Sequence, residues 1–307
     1  MTVAALAHYS LRWIRSLGSA KALAALLSSF GTLWLAVEIA TFFLDGTDWP
    51  TRIRSAWPWF GGAGLVAAAI LCKPARIVSQ KLNGRDILIS ITVGDMFSMP
   101  GALIIGSNTT FDTKISNQLI AATSIQGIFT TRYYAGEGQL DLALNAALTG
   151  NTATKLPGKR LGKNQRYPFG TCARVHPKDR TAYFVAIADI NEHGVASSQL
   201  EDLKNALSKL WVFIGTRGTK ESLVMPVLGT GFSRLSQPRE EIVREIIRSF
   251  IAACSERTFA DSLTIAIAPQ DVMKHSISLD SLGAFLAHEC RYASFANNGQ
   301  PAVGTAL

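Results

Sequence analysis

The chain has 307 residues, 48% of them hydrophobic, with 30 Lys plus Arg against 22 Asp plus Glu and a formal net charge of +8. That length holds one large domain or two smaller ones, and the charge points to an anionic partner: nucleic acid, phospholipid headgroups or a phosphorylated small molecule. Cys72, Cys172, Cys254 and Cys290 lie far apart and form no CxxC, which argues against a zinc site and a disulfide scaffold and suits a reducing compartment.

The first eighty-five residues are the most apolar. Residues 1–20 read as a short helix on a membrane surface. Residues 22–44 hold a single charge, Glu38, and as a helix reach about 35 Å, enough to cross a bilayer. Residues 56–72 hold none, and as a helix reach about 26 Å; the spacing predicts a second transmembrane helix, so that residues 21–76 form a hairpin. The first run is too long for a signal peptide. Arg12, Arg15 and Lys21 precede it, and Lys73, Arg76, Lys81 and Arg85 follow the second, while the turn between carries Arg52 and Arg54 with two aspartates. That bias predicts an inner-membrane, multi-pass protein with both termini in the cytoplasm. Glu38 reads either as a polar contact in an assembled bundle or as a carboxylate close enough to the interface to reach water. Gly31, Gly61, Gly62 and Gly64 allow close helix packing.

From Asp86 on, strands alternate with helices. DILISITV (86–93), ALII (102–105), YFVAI (183–187), LVMPVL (223–228) and LTIAIA (263–268) read as strands. Helices are expected over 140–148, 200–214, from about 236, and over 279–290, with a polar tail to 307. The basic stretch 149–169 reads as a hairpin or long loop. It lacks the interleaved aromatics of a nucleic-acid groove, apart from Tyr167 and Phe169 at its end. The pattern predicts an α/β sandwich with helices on both faces of a mixed sheet. No histidine spacing suits a metal, and none is expected.

The richest stretch is LVMPVLGTGFSRL (223–235). A buried strand, the glycine turn Gly229-Thr230-Gly231 and a helix start bring backbone N–H groups close to a ligand and favour negative charge, so the turn can cradle phosphates. The same shape also serves as a plain connection.

In order along the chain come Gly94-Asp95-Met96, a strand ending at Asn108, the turn SIQGIF (124–129) and PVLGTGF (226–232). Together they resemble a macro domain over residues 83–275. The resemblance implies a three-layer α/β/α fold that binds ADP-ribose or a derivative. It assigns Asp95, with Met96 beside it, to the adenine amino group and Asn108 to the distal ribose. It gives Gly127 and Ile128, with Gly229, Thr230 and Gly231, to the diphosphate through backbone N–H groups, and lays Phe232 along the distal ribose. Each has a plainer reading: Asp95 as a turn residue, Asn108 as a strand-end residue, Phe232 as core. Where macro domains carry a glycine-rich turn, this chain has Gly127 alone, and Asp112 is the nearest acid. No catalytic residue is assigned, and an ADP-ribosyl hydrolase stays as the alternative.

The wording GSNTTFDT (106–113), SIQGIF and PVLGTGFSRL (226–235) behind two apolar helices is similar to the membrane-anchored macro effectors of type II Thoeris antiphage defence. That resemblance implies a partner TIR-domain enzyme making a histidine-linked ADP-ribose, sensed by a homo-oligomer that disrupts the bilayer and aborts infection.

Overall fold

The computed structural model describes residues 20–43, 48, 52, 55–72, 75–115, 119–159, 161–190, 196–229 and 235–293. The surface helix expected over 1–20 lies outside them but for Ala20, as does the tail after Ala293. The chain divides into two compact units, one ending at Arg76 and one beginning at Ile77.

The first unit is built on two helices, α1 (Ala20–Phe43) and α2 (Trp57–Leu71), which pack on each other. Gly64 of α2 sits so near the Phe30 ring that a Cβ there would lie 3.1 Å from it. Large apolar side chains turn outward. Trp34 is 69% exposed, Phe42 76% and Trp59 82%, an arrangement stable against hydrocarbon and unfavourable against water. Hydroxyls on α1 are bonded inside the helix: Ser29 Oγ donates to Ala25 O, Thr32 Oγ1 to Ser28 O and Thr41 Oγ1 to Glu38 O. Among the described residues, one helix is long and apolar enough to cross a bilayer, over Ala22–Phe43. The second expected span, 56–72, is a helix of 15 residues, about 22 Å against a hydrocarbon core of about 30 Å. Pro58 sits in its first turn, the one part of a helix that suits a proline. A multi-pass topology therefore does not follow from helix length.

The second unit is a mixed sheet between two helical layers. Its path runs β1 (Ile77–Lys81), β2 (Leu88–Val93), β10 (Ala260–Ile267), β9 (Glu221–Pro226), β3 (Ala102–Asn108), β7 (Ala182–Ile190) and β6 (Cys172–Val175). The two-residue β8 (Ala196–Ser197) adds to β7. The five central strands, β2 to β7 along this path, are parallel; β1 and β6 are antiparallel edges. Parallel strands covered on both faces should be apolar throughout. In β3, Ile104 joins one core layer while Leu103 and Ile105 join the other; in β7, Tyr183 and Val185 face the first layer and Phe184 and Ala186 the second.

The first layer is covered by α5 (Leu200–Arg217), α6 (Arg239–Glu256) and α8 (Leu279–Tyr292), together with the short α7 (Pro269–Lys274). The second is covered by α3 (Ile125–Tyr133) and α4 (Glu137–Ala147). The basic stretch contains the expected hairpin as a short arm, β4 (Thr154–Lys155) against β5 (Gln165–Arg166). Sequence periodicity misses β1, too short and too exposed to alternate, and the single turn of 3-10 helix at Met96–Ser98.

Trp211 of α5 is 1% exposed, stacks edge-on against Phe250 at 5.2 Å and donates its indole N–H to Ser249 Oγ. Trp211→Ala should cost about 3–5 kcal/mol and lower the thermal midpoint of this unit by roughly 10 °C, read by differential scanning fluorimetry. The full chain should stay with membranes through alkaline carbonate washing, and deleting residues 1–76 should release the remainder into the soluble fraction. Release of the full chain by carbonate alone would contradict insertion of α1.

Candidate ligand-binding site

Five parallel strands end on one edge of the sheet. Register puts Val93 beside Ile267 and Ala266 beside Pro226, while Asn108 pairs with Ala188. Gly94 N–H donates to Ile267 O at 3.0 Å. A Cβ on Gly106 would stand 2.4 Å from Ile187 Cδ1 and 3.4 Å from Leu228 Cδ2, so the ends of β3, β7 and β9 close on one another. The turns after β2, β3 and β9 are thus neighbours along the carboxyl edge, where open α/β sheets take their ligands. The sequence-derived residues Asp95, Met96, Asn108, Gly127, Ile128 and Gly229 come from these turns and the start of α3. Thr230, Gly231 and Phe232 lie outside the described residues.

The turn after β9 depends on a glycine. Gly229 has φ +72, and a Cβ there would come within 2.1 Å of Leu235 Cδ1. Leu235 N–H donates back to Gly229 O at 3.3 Å, bringing the two ends of this loop together. The helix that follows, α6, carries Glu240 and Glu241 in its first turn, and Glu240 accepts from Ser278 N–H at 2.6 Å.

The start of α3 is equally tight. A Cβ on Gly127 would meet Ala121 O at 2.3 Å and Ala122 O at 2.8 Å, so only glycine lets this backbone approach. Ser124 caps the helix: its Oγ accepts from Gly127 N–H at 3.0 Å, and its carbonyl from Ile128 N–H at 2.8 Å. The two N–H groups expected to hold a diphosphate are therefore engaged within the chain.

Asp95 caps the 3-10 turn through Phe97 N–H at 3.1 Å and pairs with Arg132 of α3, also at 3.1 Å, with both side chains nearly half exposed. The Arg132 guanidinium lies over the Phe97 ring at 4.8 Å. Met96 is buried in the second core layer. Arg180 holds the backbone between them and β3, donating to the carbonyls of Phe97, Met99 and Gly101.

At the end of β3 the polar side chains turn inward. Asn108 is 8% exposed; its Oδ1 accepts from Thr110 N–H and Asp112 N–H, and its Nδ2 donates to Asp112 Oδ2 at 3.1 Å. Gln126, on the first turn of α3, donates to Asp112 O at 2.6 Å and accepts from Ser107 Oγ at 3.3 Å. Asp112 forms an ion pair with Lys159 from the β4–β5 arm, at 2.5 Å. Sequence reading names Asp112 only as a possible acid and passes over Lys159 and Gln126. Nothing in a lysine-rich loop marks the lysine that turns inward.

Two features lie apart from this chemistry. An open depression of about 620 Å³, lined by residues of the β1–β2 turn with Cys290 and Arg291, sits at the opposite end of β2 from Asp95. Cys172, Cys254 and Cys290 are buried, and burial pushes the Cys172 and Cys254 thiols up to about 12, which suits small apolar fillers rather than nucleophiles.

Residues 89–268 match the family model described as Thoeris protein ThsA, Macro domain. Thoeris protein ThsA of Bacillus amyloliquefaciens (strain Y2) is 25% identical over 164 residues, 51% of this chain and 52% of that protein. The chain thus spans about half the length of that relative. Among solved structures, an Oceanobacillus iheyensis macrodomain with MES bound aligns at TM-score 0.45 and 14% identity, covering 70% of this chain and 97% of the other. A Trypanosoma brucei macrodomain in complex with ADP-ribose aligns at TM-score 0.42 and 13% identity, covering 64% and 72%. The family match takes in well over half of the chain and every described turn of the carboxyl edge, and the chain belongs to the Thoeris ThsA macro-domain family.

Proposed function

We propose that this chain is a membrane-anchored sensor whose carboxyl edge binds an ADP-ribose derivative of the histidine-linked type. In this reading a TIR-domain enzyme supplies the signal, and its binding drives copies of the chain to assemble and disrupt the bacterial inner membrane, which aborts infection. The observation that carries it is the joining, in one chain, of three ligand-type turns on one sheet edge to a helix long enough to cross a bilayer.

Asp95 reads the adenine amino group, with Met96 shaping that end. Asn108, and Phe232 beyond the described residues, take the distal ribose. The turns at Gly127-Ile128 and Gly229-Thr230-Gly231 take the diphosphate through backbone N–H groups. The price of binding is local re-pairing. Adenine displaces an exposed Asp95–Arg132 pair, worth about 0.2–1 kcal/mol, and diphosphate displaces the Ser124 hydroxyl from Gly127 N–H. A signal that triggers assembly must also favour the assembled state over the resting one by a real difference in affinity. A sensor rather than a hydrolase fits Asp112. Four donors already converge on its carboxylate, three on Oδ2 and one on Oδ1, so its oxygens are largely committed to holding the chain.

Calorimetry on the full chain in detergent tests the site. Asp95→Ala, Asn108→Ala and Gly229→Glu should each weaken ADP-ribose and histidine-linked ADP-ribose by about tenfold or more. Unchanged affinity in all three would remove the assignment. In dye-loaded vesicles, the signal should trigger release from wild type. Glu38→Ala should change release without changing affinity. Steady turnover of ADP-ribosylated substrate would replace the sensor by the hydrolase.

A further inference from the structure

Building on the ligand reading above, we infer that Asp112 and Lys159 are a positioning pair for the distal end of the site: they strap the β4–β5 arm to the end of β3 and fix Asn108 for the ribose beyond the diphosphate.

Both side chains are 1% exposed. Taking two charges out of water is costly, and an apolar contact of similar volume would pin the arm as well or better. Stability alone therefore does not account for the pair. An ion pair supplies what an apolar contact cannot, a directional acceptor. Asp112 Oδ2 takes Lys159 Nζ, Thr110 Oγ1 and Asn108 Nδ2, while Oδ1 takes Lys163 N–H at 2.7 Å. Lys159 Nζ also donates to Thr110 Oγ1 at 2.6 Å. With its Oδ1 already held by the Thr110 and Asp112 amides, Asn108 is left one orientation.

The arm is shaped for this contact. Gly162 has φ +80, and a Cβ there would stand 2.2 Å from Asp112 Oδ1. Only glycine lets the arm's backbone come close enough for the next residue's N–H to reach the carboxylate. Lys163 then ties the arm to α4 through Asp141 at 2.7 Å and Asn145 at 2.8 Å. Arg166 pairs with Asp189 at the end of β7. The arm is thus the wall against the end of β3, and the pair sets the depth of that wall.

A positioning role confined to the distal end separates ADP-ribose from ADP, which lacks the terminal ribose. Calorimetry on the full chain in detergent, with both nucleotides and a thermal midpoint for each variant, tests it. Lys159→Met and Gly162→Ala should weaken ADP-ribose by about tenfold or more, the scale of a hydrogen bond to a charged group, and should change ADP by less than about threefold. If Lys159→Met does not fold, because it strands a buried carboxylate, Lys159→Met combined with Asp112→Asn removes both charges and carries the same expectation. Equal weakening of both nucleotides, or folded variants that bind like wild type, overturns the inference. Wild type that binds both nucleotides equally overturns it too, while leaving the ligand reading intact. Wild type that binds neither defeats the ligand reading itself, and this inference with it.

Discussion

Parallel strands that finish on one edge force the turns after them to be neighbours, whatever their distance in sequence. That constraint brings Gly94-Asp95, Asn108 and Leu228-Gly229 to one place, because β2, β3 and β9 run the same way in a sheet whose order interleaves them with β10 and β7. The site is then a matter of backbone approach. Gly127 and Gly229 sit where a side chain would collide with a carbonyl or with Leu235. Glycine is what lets the main chain come that close at both places. In the structure Ser124 holds the Gly127 and Ile128 N–H groups, and the Gly229 carbonyl accepts from Leu235 N–H.

The first unit obeys a different rule. Its helices turn Trp34, Phe42 and Trp59 outward and bond their own hydroxyls inward, which suits a solvent that offers neither donors nor acceptors. Glu38 is the exception, a carboxylate on the long helix. Length decides what each helix can do alone. Among the described residues the first is long and apolar enough to cross a bilayer; the second, 15 residues with Pro58 in its first turn, is not.

Much of this is legible in the sequence because local physics writes it there. Short apolar runs such as LVMPVL and LTIAIA read as buried strands, and the Gly229 that closes the first announces a turn. Helices over 200–217 and 239–256 carry an apolar stripe at the right spacing. What stays hidden is long-range or negative. Lys159 meets Asp112 across the arm, and its neighbours Lys155 and Lys163 look the same in sequence. The pairing of Asp95 with Arg132 is likewise a product of tertiary placement. The second helix already reads as a slightly short span, and Pro58 in its first turn marks a boundary rather than a passenger.

The order of strands has one more consequence. β10, near the end of the unit, lies between β2, near its beginning, and β9. A chain emerging from the ribosome thus presents its apolar helices before the sheet and receives the middle of that sheet almost last. Pairings of such sequence separation close slowly. The carboxyl edge of the sheet is therefore among the last parts of this unit to be completed.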